Sequence, residues 1–315
     1  MLKKILPGLV VVLITGAGAT WYFANYQARN IVDERITALV SSGRYDKLTY
    51  DTLNVAPDGS IALTNLLIEQ DGVSAIIDTI NITHFDYSHE VPWHMTMDLS
   101  GFRFPEGLGT LLDEENPVVA AYLNDKLRGE TLPLQLQYQY DYTPDNDNQI
   151  DASMHLGLPD SFAFTVQSVT RRIALEDLAN PDFNNPDLAM NVISTTFGMG
   201  ELPSVTLTLK DGGLLDTLLQ EAAVSGNASL EDFRKLMITQ ARNLYLFAPQ
   251  NIQGVAMQAG LQLATFLEGN KTLEIRLNPE FGGNFKQLQP QIMGAVISGD
   301  FNAVVELLHL EIEAR

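Results

Sequence analysis

The chain opens with a continuous hydrophobic run, from Ile5 to Ala24, that contains no charged side chain. A helix rises about 1.5 Å per residue, so a run of this length matches the roughly 30 Å hydrocarbon core of a bilayer. Lys3 and Lys4 precede it and aromatic residues end it, which is the pattern of a single membrane span with a cytoplasmic N-terminus. The sequence therefore predicts a membrane anchor or signal segment over residues 1–26. The residues that identify it are Ile5, Leu13, Trp21, Tyr22 and Phe23.

Two other interpretations of this run stay open. Ile5 to Ile14 has the composition of a signal-peptide core, and the small residues Ala17 to Ala19 would permit cleavage before Thr20. A helix buried in the protein's own core is the third interpretation. Under the first two, the rest of the chain is exported, which predicts a bacterial inner-membrane protein of single-pass topology with its body in the periplasm, or a cleaved periplasmic form.

The hydrophobic period changes twice after this segment. Residues 27–45 carry apolar residues at helical spacing, such as Ile36 and Leu39, beside charged ones, and we predict a helical stalk. Residues 46–170 alternate between apolar and polar side chains, which is typical of antiparallel strands with one apolar face. The clearest alternation runs from Leu132 to Tyr142 and returns from Ile150 to Leu156, with a turn at 144–148. A helix is predicted before this hairpin, at 117–127.

Residues 171–315 mix helical and strand patterns and are expected to pack on the same sheet. Helices are predicted at 210–223, at 251–267, at 301–307 and from the capping-box residue Ser229 toward Phe247. Strands are predicted at 205–209, 272–277 and 308–314. The fold class expected is therefore α+β, with an N-terminal single transmembrane helix followed by a twisted antiparallel β-sheet body wrapped by helices.

Charge narrows the classes of partner. The chain has 39 acidic and 19 basic residues, for a formal net charge of −20. Such a chain repels phosphate backbones at long range, so we expect no nucleic-acid partner. It has no cysteine, which excludes thiol catalysis and thiolate metal sites.

One stretch of strands resembles a known group of proteins. The anchor, followed by YDTLNVAPDGSIALTNLLIE and DTINIT, resembles the start of AsmA-like and YdgA-like bacterial envelope proteins. DGGLLDTLLQEAA, FLEGNKTLEIRLNP and LLHLEIEAR are similar to segments of other periplasmic proteins of this kind. The resemblance implies an inner-membrane segment, a β-rich periplasmic body and a role near lipid. It supplies no catalytic residue, and this chain is much shorter than the large members that form lipid-conducting grooves.

Motifs for catalysis and metal binding are not evident. His84, His89 and His94 are five residues apart, which does not suit ligands on one helix or on one face of a strand. The run from Asp145 to Asn148 lacks the glycine and glutamate of an EF-hand loop and is better explained as a turn. No nucleophile elbow or phosphate-binding loop occurs. We therefore expect no enzyme activity, no cofactor and no metal.

The remaining candidate chemistry is apolar. A sheet with one apolar face can hold a lipid or can simply fill the core. The side chains chosen as lipid-contacting candidates are Leu136, Tyr138, Met154, Phe162 and Phe164. The function predicted is that of a non-enzymatic, membrane-anchored envelope protein that contacts lipid or supports envelope assembly. The alternative is an interaction module that docks an envelope protein through a sheet edge or the C-terminal helices.

Overall fold

The structure is a computed structural model that describes residues 26–43, 45–56, 59–70, 72–86, 88–89, 92–105, 131–173, 175, 200–248 and 250–315. The chain divides into two compact units. Of the described residues, those at 26–142 and 175 belong to the first unit, and those at 143–173 and 200–315 belong to the second.

The described strands pair antiparallel wherever their register is defined. Those of the first unit are β1 (Lys47–Thr49), β2 (Thr52–Val55), β3 (Ile61–Gln70), β4 (Val73–Thr83), β5 (His94–Arg103) and β6 (Leu132–Thr143). Those of the second are β7 (Gln149–Leu158), β8 (Phe162–Arg171), β9 (Glu201–Asp211), β10 (Thr272–Leu277) and β11 (Glu311–Ala314). In the first unit β1 and β2 both pair with β3, and the order continues β4, β5, β6. In the second unit the strands pair in chain order.

One described helix, α1 (Tyr26–Ser41), belongs to the first unit. The helices of the second unit are α2 (Leu214–Ser225), α3 (Leu230–Arg242), α4 (Leu244–Phe247), α5 (Gln253–Leu267), α6 (Phe285–Ser298) and α7 (Phe301–Leu308). Short 3₁₀ turns precede α5 and α6, at Gln250–Ile252 and Glu280–Gly283.

The sheet of the first unit has a fully buried apolar face. Cross-strand partners lie on the same face, and Ile80 of β4 pairs with Leu99 of β5, which pairs with Leu136 of β6. The exposed fractions of these three side chains are 1%, 1% and 4%. Met97, beside them on β5, is 0% exposed. This face is a packed core, and its burial is the main stabilisation of the unit.

The helices of the second unit pack mainly against one another. Leu219 of α2, Ala241 of α3, and Ala264 and Leu267 of α5 form a buried cluster. Partly buried apolar residues of α2 and α3, including Phe233, surround this cluster. The helix α5 also contacts β10 and β11 of the sheet.

Side-chain caps fix where several of these helices begin. Ser229 Oγ accepts a hydrogen bond from the amide of Asp232 at the start of α3, as the capping-box pattern predicts. Asn284 and Asp300 cap α6 and α7 in the same way. Asp211, the last residue of β9, accepts the amides of Gly213 and Leu215 and so joins the strand to α2.

The structure contradicts the predicted transmembrane helix. Across the part of the chain that the structure describes, no helix has both the length and the apolar character needed to cross a membrane. The nearest described helix, α1, has 16 residues. That is about 24 Å, short of the roughly 30 Å required, and Asp33 and Glu34 lie exposed on it. The transmembrane fold class, the signal anchor and the single-pass inner-membrane localisation are corrected accordingly.

The anchor residues named above, Ile5, Leu13, Trp21, Tyr22 and Phe23, lie outside the described residues, as does the helix predicted at 117–127. Most other predicted elements are confirmed, and β10 has the predicted bounds. Two helices differ from the prediction. The helix that starts after Ser229 ends at Arg242, because Asn243 interrupts it before α4. The prediction omitted α6, in which Pro290 and Gly294 weaken the helical pattern.

Two glycines of α5 provide a matched test of this packing. A Cβ at Gly260 would lie 2.2 Å from the carbonyl oxygen of Ala241, whereas a Cβ at Gly254 would meet nothing within 4 Å. We expect Gly260→Ala to lower the free energy of unfolding by about 1–3 kcal/mol, because α5 must move away from α3. Gly254→Ala should leave it unchanged or raise it by up to about 1 kcal/mol. Urea denaturation measures both, and equal effects would contradict the close helix contact.

Candidate functional site

The strands of the second unit place apolar and polar side chains on opposite faces. Met154 of β7 pairs with Val166 of β8, which pairs with Leu207 of β9. Leu207 in turn pairs with Ile275 of β10, which pairs with Ile312 of β11. Because cross-strand partners share a face, this row of five apolar residues crosses the whole sheet of the unit.

We call the surface built from such rows the C-terminal apolar face. Its members are Ala152, Met154, Leu156, Leu158, Phe162, Phe164, Val166, Val205, Leu207, Leu209, Leu273, Ile275, Leu277, Ile312 and Ala314.

The members of the C-terminal apolar face are half-buried, whereas Ile150, on the same side of β7 two residues before Ala152, is 9% exposed and belongs to the core. The equivalent face of the first unit contains side chains that are 0–4% exposed, such as Met97 and Leu136. Polar residues on the other side of β8 and β9, such as Thr165 and Thr206, are also half-buried. Neither side of these two strands therefore reaches the burial of the corresponding face in the first unit.

The opposite face is polar and held by ion pairs. Glu274 of β10 is 8% exposed and accepts hydrogen bonds from the guanidinium groups of Arg276 and Arg315. Burial alone would raise the pKa of Glu274, but the two arginines outweigh that effect and lower it. Arg276 Nη2 also lies 3.5 Å from a carboxylate oxygen of Glu313 on β11. These pairs fix which face of the sheet is polar, and hence which face is apolar.

The dimensions of the C-terminal apolar face suit an extended hydrocarbon chain. Five strands spaced about 4.8 Å apart give a width of roughly 19 Å, and the four face residues of β7, from Ala152 to Leu158, span about 20 Å because same-face residues are two positions apart. These side chains are half-buried, so only part of this footprint is exposed to solvent.

The lipid-contacting candidates lie in both units. Met154, Phe162 and Phe164 belong to the C-terminal apolar face and are half-buried. Leu136 is 4% exposed and packs in the core of the first unit. Tyr138 lies opposite Met97 in that unit, and burial raises the pKa of its hydroxyl. The alternation of the sequence identified all five as apolar-face residues, but it does not separate an open face from a sealed one.

The outer edge of β11 is covered. The amide of Ala314 donates to Oε1 of Gln262, and the carbonyl of Ala314 accepts from the side-chain amide of Asn270. These bonds occupy groups that another strand would otherwise pair with. At Ala314, the edge of β11 is therefore not free to pair with another strand.

The C-terminal helices also expose apolar side chains. The most exposed are Ile297 of α6 at 81%, Phe247 of α4 at 80%, Val224 of α2 at 63% and Leu246 of α4 at 61%. Met257 and Leu261, one turn apart on α5, are 46% and 47% exposed. These residues are scattered over several helices, whereas the apolar face is continuous across paired strands.

A buried carboxylate organises the loop between β4 and β5. Asp86 is 8% exposed and accepts hydrogen bonds from the amide and hydroxyl of Ser88, from Nδ1 of His89 at 2.6 Å and from the amide of Trp93 at 3.1 Å. Burial alone would raise its pKa, but these four donors together hold the pKa of Asp86 well below its ordinary value. The ring of His89 stacks on Trp93 with 3.7 Å between centroids.

This Asp-Ser-His cluster has the geometry of a locked turn. Both the Asp86 carboxylate and the Ser88 hydroxyl contact the same ring nitrogen of His89, Nδ1. A nucleophile triad instead places the serine at the other ring nitrogen. Among the described residues, no group of three or more His, Asp or Glu side chains is arranged to hold a metal ion. The run from Asp145 to Asn148, which resembles part of a calcium-binding loop, lies in the turn before β7.

The comparisons with known proteins bear on the second unit. A family model described as "Uncharacterized protein" matches residues 157–315, which is half of the 315-residue chain. The chain therefore belongs to this family. The matched region includes β8 to β11 and α2 to α7, and so most of the C-terminal apolar face. Nothing among the curated proteins matches the chain.

Asp86 gives a testable dependence of stability on pH. Asp86→Asn should lower the free energy of unfolding at pH 7 by about 1.5–3 kcal/mol, because hydrogen bonds to a charged acceptor are lost. The difference from the native chain should be full above about pH 5 and shrink as the pH falls below 3.8, the ordinary value, because the unfolded carboxyl is protonated first.

Denaturation at pH 7 and pH 3 measures this difference. Asp145→Asn, in an exposed turn, removes the same charge and should change stability by less than about 0.5 kcal/mol. A loss for Asp86→Asn that is equal at both pH values would contradict the locked carboxylate.

Proposed function

We propose that this protein is a non-enzymatic binding protein that holds the hydrocarbon chain of a lipid against the C-terminal apolar face. The observation that carries the proposal is the continuous row from Met154 to Ile312, whose side chains are apolar and none of which is fully buried. Apolar surface that keeps some exposure is common at ligand-binding sites of proteins.

The energetics support a reversible complex. A ligand that covers the remaining exposed apolar surface of the face contributes about 25 cal/mol per Å² covered, before the costs of association. Those costs are about 4–15 kcal/mol, and apolar surface buried on the ligand offsets part of them. The expected complex is therefore of moderate affinity, suited to a lipid that must be both taken up and released.

The resemblance of residues 50–69 to AsmA-like proteins points in the same direction, because large members of that group are associated with lipid grooves. In this chain the proposed binding surface lies within the second unit alone. It requires no membrane-spanning helix and no catalytic group.

A second candidate function is protein docking through the C-terminal helices. Phe247 and Ile297, each about four-fifths exposed, favour it, since large apolar side chains at such exposure are common at interfaces. The covered edge of β11 argues against docking by strand addition at that position. The two functions differ in their residues, so substitutions on the sheet face and on the helices distinguish them.

The test uses one substitution on each face of β9. Leu207→Asp places a carboxylate on the C-terminal apolar face and should weaken binding of a fluorescent monoacylglycerol by at least about fivefold, because the ligand would have to desolvate the charge. Thr206→Asp adds the same charge on the polar face, opposite Arg276, and should change the affinity by less than about twofold. Fluorescence titration of the full chain gives both dissociation constants.

Val166→Thr is a milder variant for the case in which Leu207→Asp does not fold. It keeps the shape of the side chain, adds one hydroxyl to the same row and should weaken binding by about two- to fivefold. Unchanged binding in folded Leu207→Asp and Val166→Thr, or binding lost when Phe247→Ser is introduced on α4, would contradict the assignment to the sheet.

A further inference from the structure

We infer that the lipid held by the C-terminal apolar face has a head group without net negative charge. This inference rests on the proposed function and names the class of ligand for the same site. Its basis is the arrangement of charged side chains at the two ends of the strands that build the face.

At one end of the face the neighbouring cation Lys271 is already paired. Lys271 precedes β10, and its Nζ lies 3.5 Å from Oδ2 of Asp211. The other carboxylate oxygen of Asp211 accepts the amides of Gly213 and Leu215. Asp160, in the turn between β7 and β8, is exposed at the same end. The end that carries Phe162 thus has one ion pair, in which the Asp211 side chain is 7% exposed, and the exposed carboxylate of Asp160.

At the other end of the face the neighbouring cation is also paired with an acid. Arg172 follows β8 directly, and its Nη1 lies 2.8 Å from Oε1 of Glu201 at the start of β9. Because side chains alternate along a strand, Lys210, Arg171 and Arg276 belong to the opposite face. Arg171 donates there to Gln149. The cations Lys271 and Arg172, one at each end of the apolar face, are therefore both already bound to an acid.

The negative net charge of the whole chain also disfavours an anionic ligand. With a formal net charge of −20, the protein repels anions at distances up to about 10 Å at 0.1 M salt. The members of the apolar face carry no charge themselves. Discrimination is therefore expected to come from the ends of the face, where an uncharged or zwitterionic head group meets carboxylates without repulsion.

The experiment compares probes that share one sixteen-carbon chain: palmitate, 1-monopalmitoylglycerol and palmitoyl lysophosphatidylcholine. Each is titrated into the full chain below its aggregation concentration, at low and high salt. Palmitate should bind about three- to tenfold more weakly than the other two at low salt, and the gap should narrow at high salt because the repulsion is screened.

A pair of variants tests whether the ends of the face are responsible. Ser168→Lys adds an amine beside Ala152 and Val205, at the margin of the apolar face, and should raise the affinity for palmitate relative to monopalmitoylglycerol by about two- to fivefold. Gln167→Lys adds the same charge to the opposite face and should leave that ratio within about 1.5-fold.

The possible outcomes test the proposed function and the head-group preference separately. If none of the three probes binds, both the proposed function and the head-group preference are overturned. If all three bind and palmitate is equal or stronger, the function stands and the head-group preference is overturned. An equal gain from Ser168→Lys and Gln167→Lys would show an effect of net charge alone and would overturn the assignment to the ends of the face.

Discussion

The cross-strand register of β7 to β11 is the constraint on which the account depends. A side chain on a strand can point only to one face or the other, so a single register decides the environment of every residue in these strands. In this register Met154, Val166, Leu207, Ile275 and Ile312 align, and the ion pairs of Glu274 and Arg276 lie on the other side. The hydrogen bonds between these strands thus hold the apolar surface in place, although its side chains are only half-buried.

The two units use the same strand pattern with different results. In the first, the face that contains Ile80 and Leu99 is closed and serves as core. In the second, the helices form a buried cluster of their own around Leu219 and Ala264, and the apolar side chains of the sheet are less buried than those of the first unit. This difference in burial separates the proposed binding face from an ordinary core.

The sequence predicts most of the strands, because their alternation reflects which side chains share a face. It also predicts the start of α3, because Ser229 can cap only the helix that follows it. It does not predict how far a face is covered: Leu136 and Phe164 have the same pattern, yet one is sealed and the other is half-buried. The sequence does not predict the Asp86 cluster, because a turn without a recognisable sequence motif brings its four hydrogen-bond donors together. The transmembrane helix was predicted from an uncharged apolar run with flanking lysines and aromatics, and none of the described helices could cross a membrane.

Photo-crosslinking tests the central claim most directly. A monoacylglycerol whose chain carries a diazirine would be bound to the full protein, illuminated, and its sites of attachment mapped by mass spectrometry of the peptides. The account predicts adducts on β7 to β10, at residues of the C-terminal apolar face such as Phe164 and Leu207, with competition by unlabelled monoacylglycerol. Adducts confined to the helices around Phe247 and Ile297, or an absence of competable adducts, would contradict it.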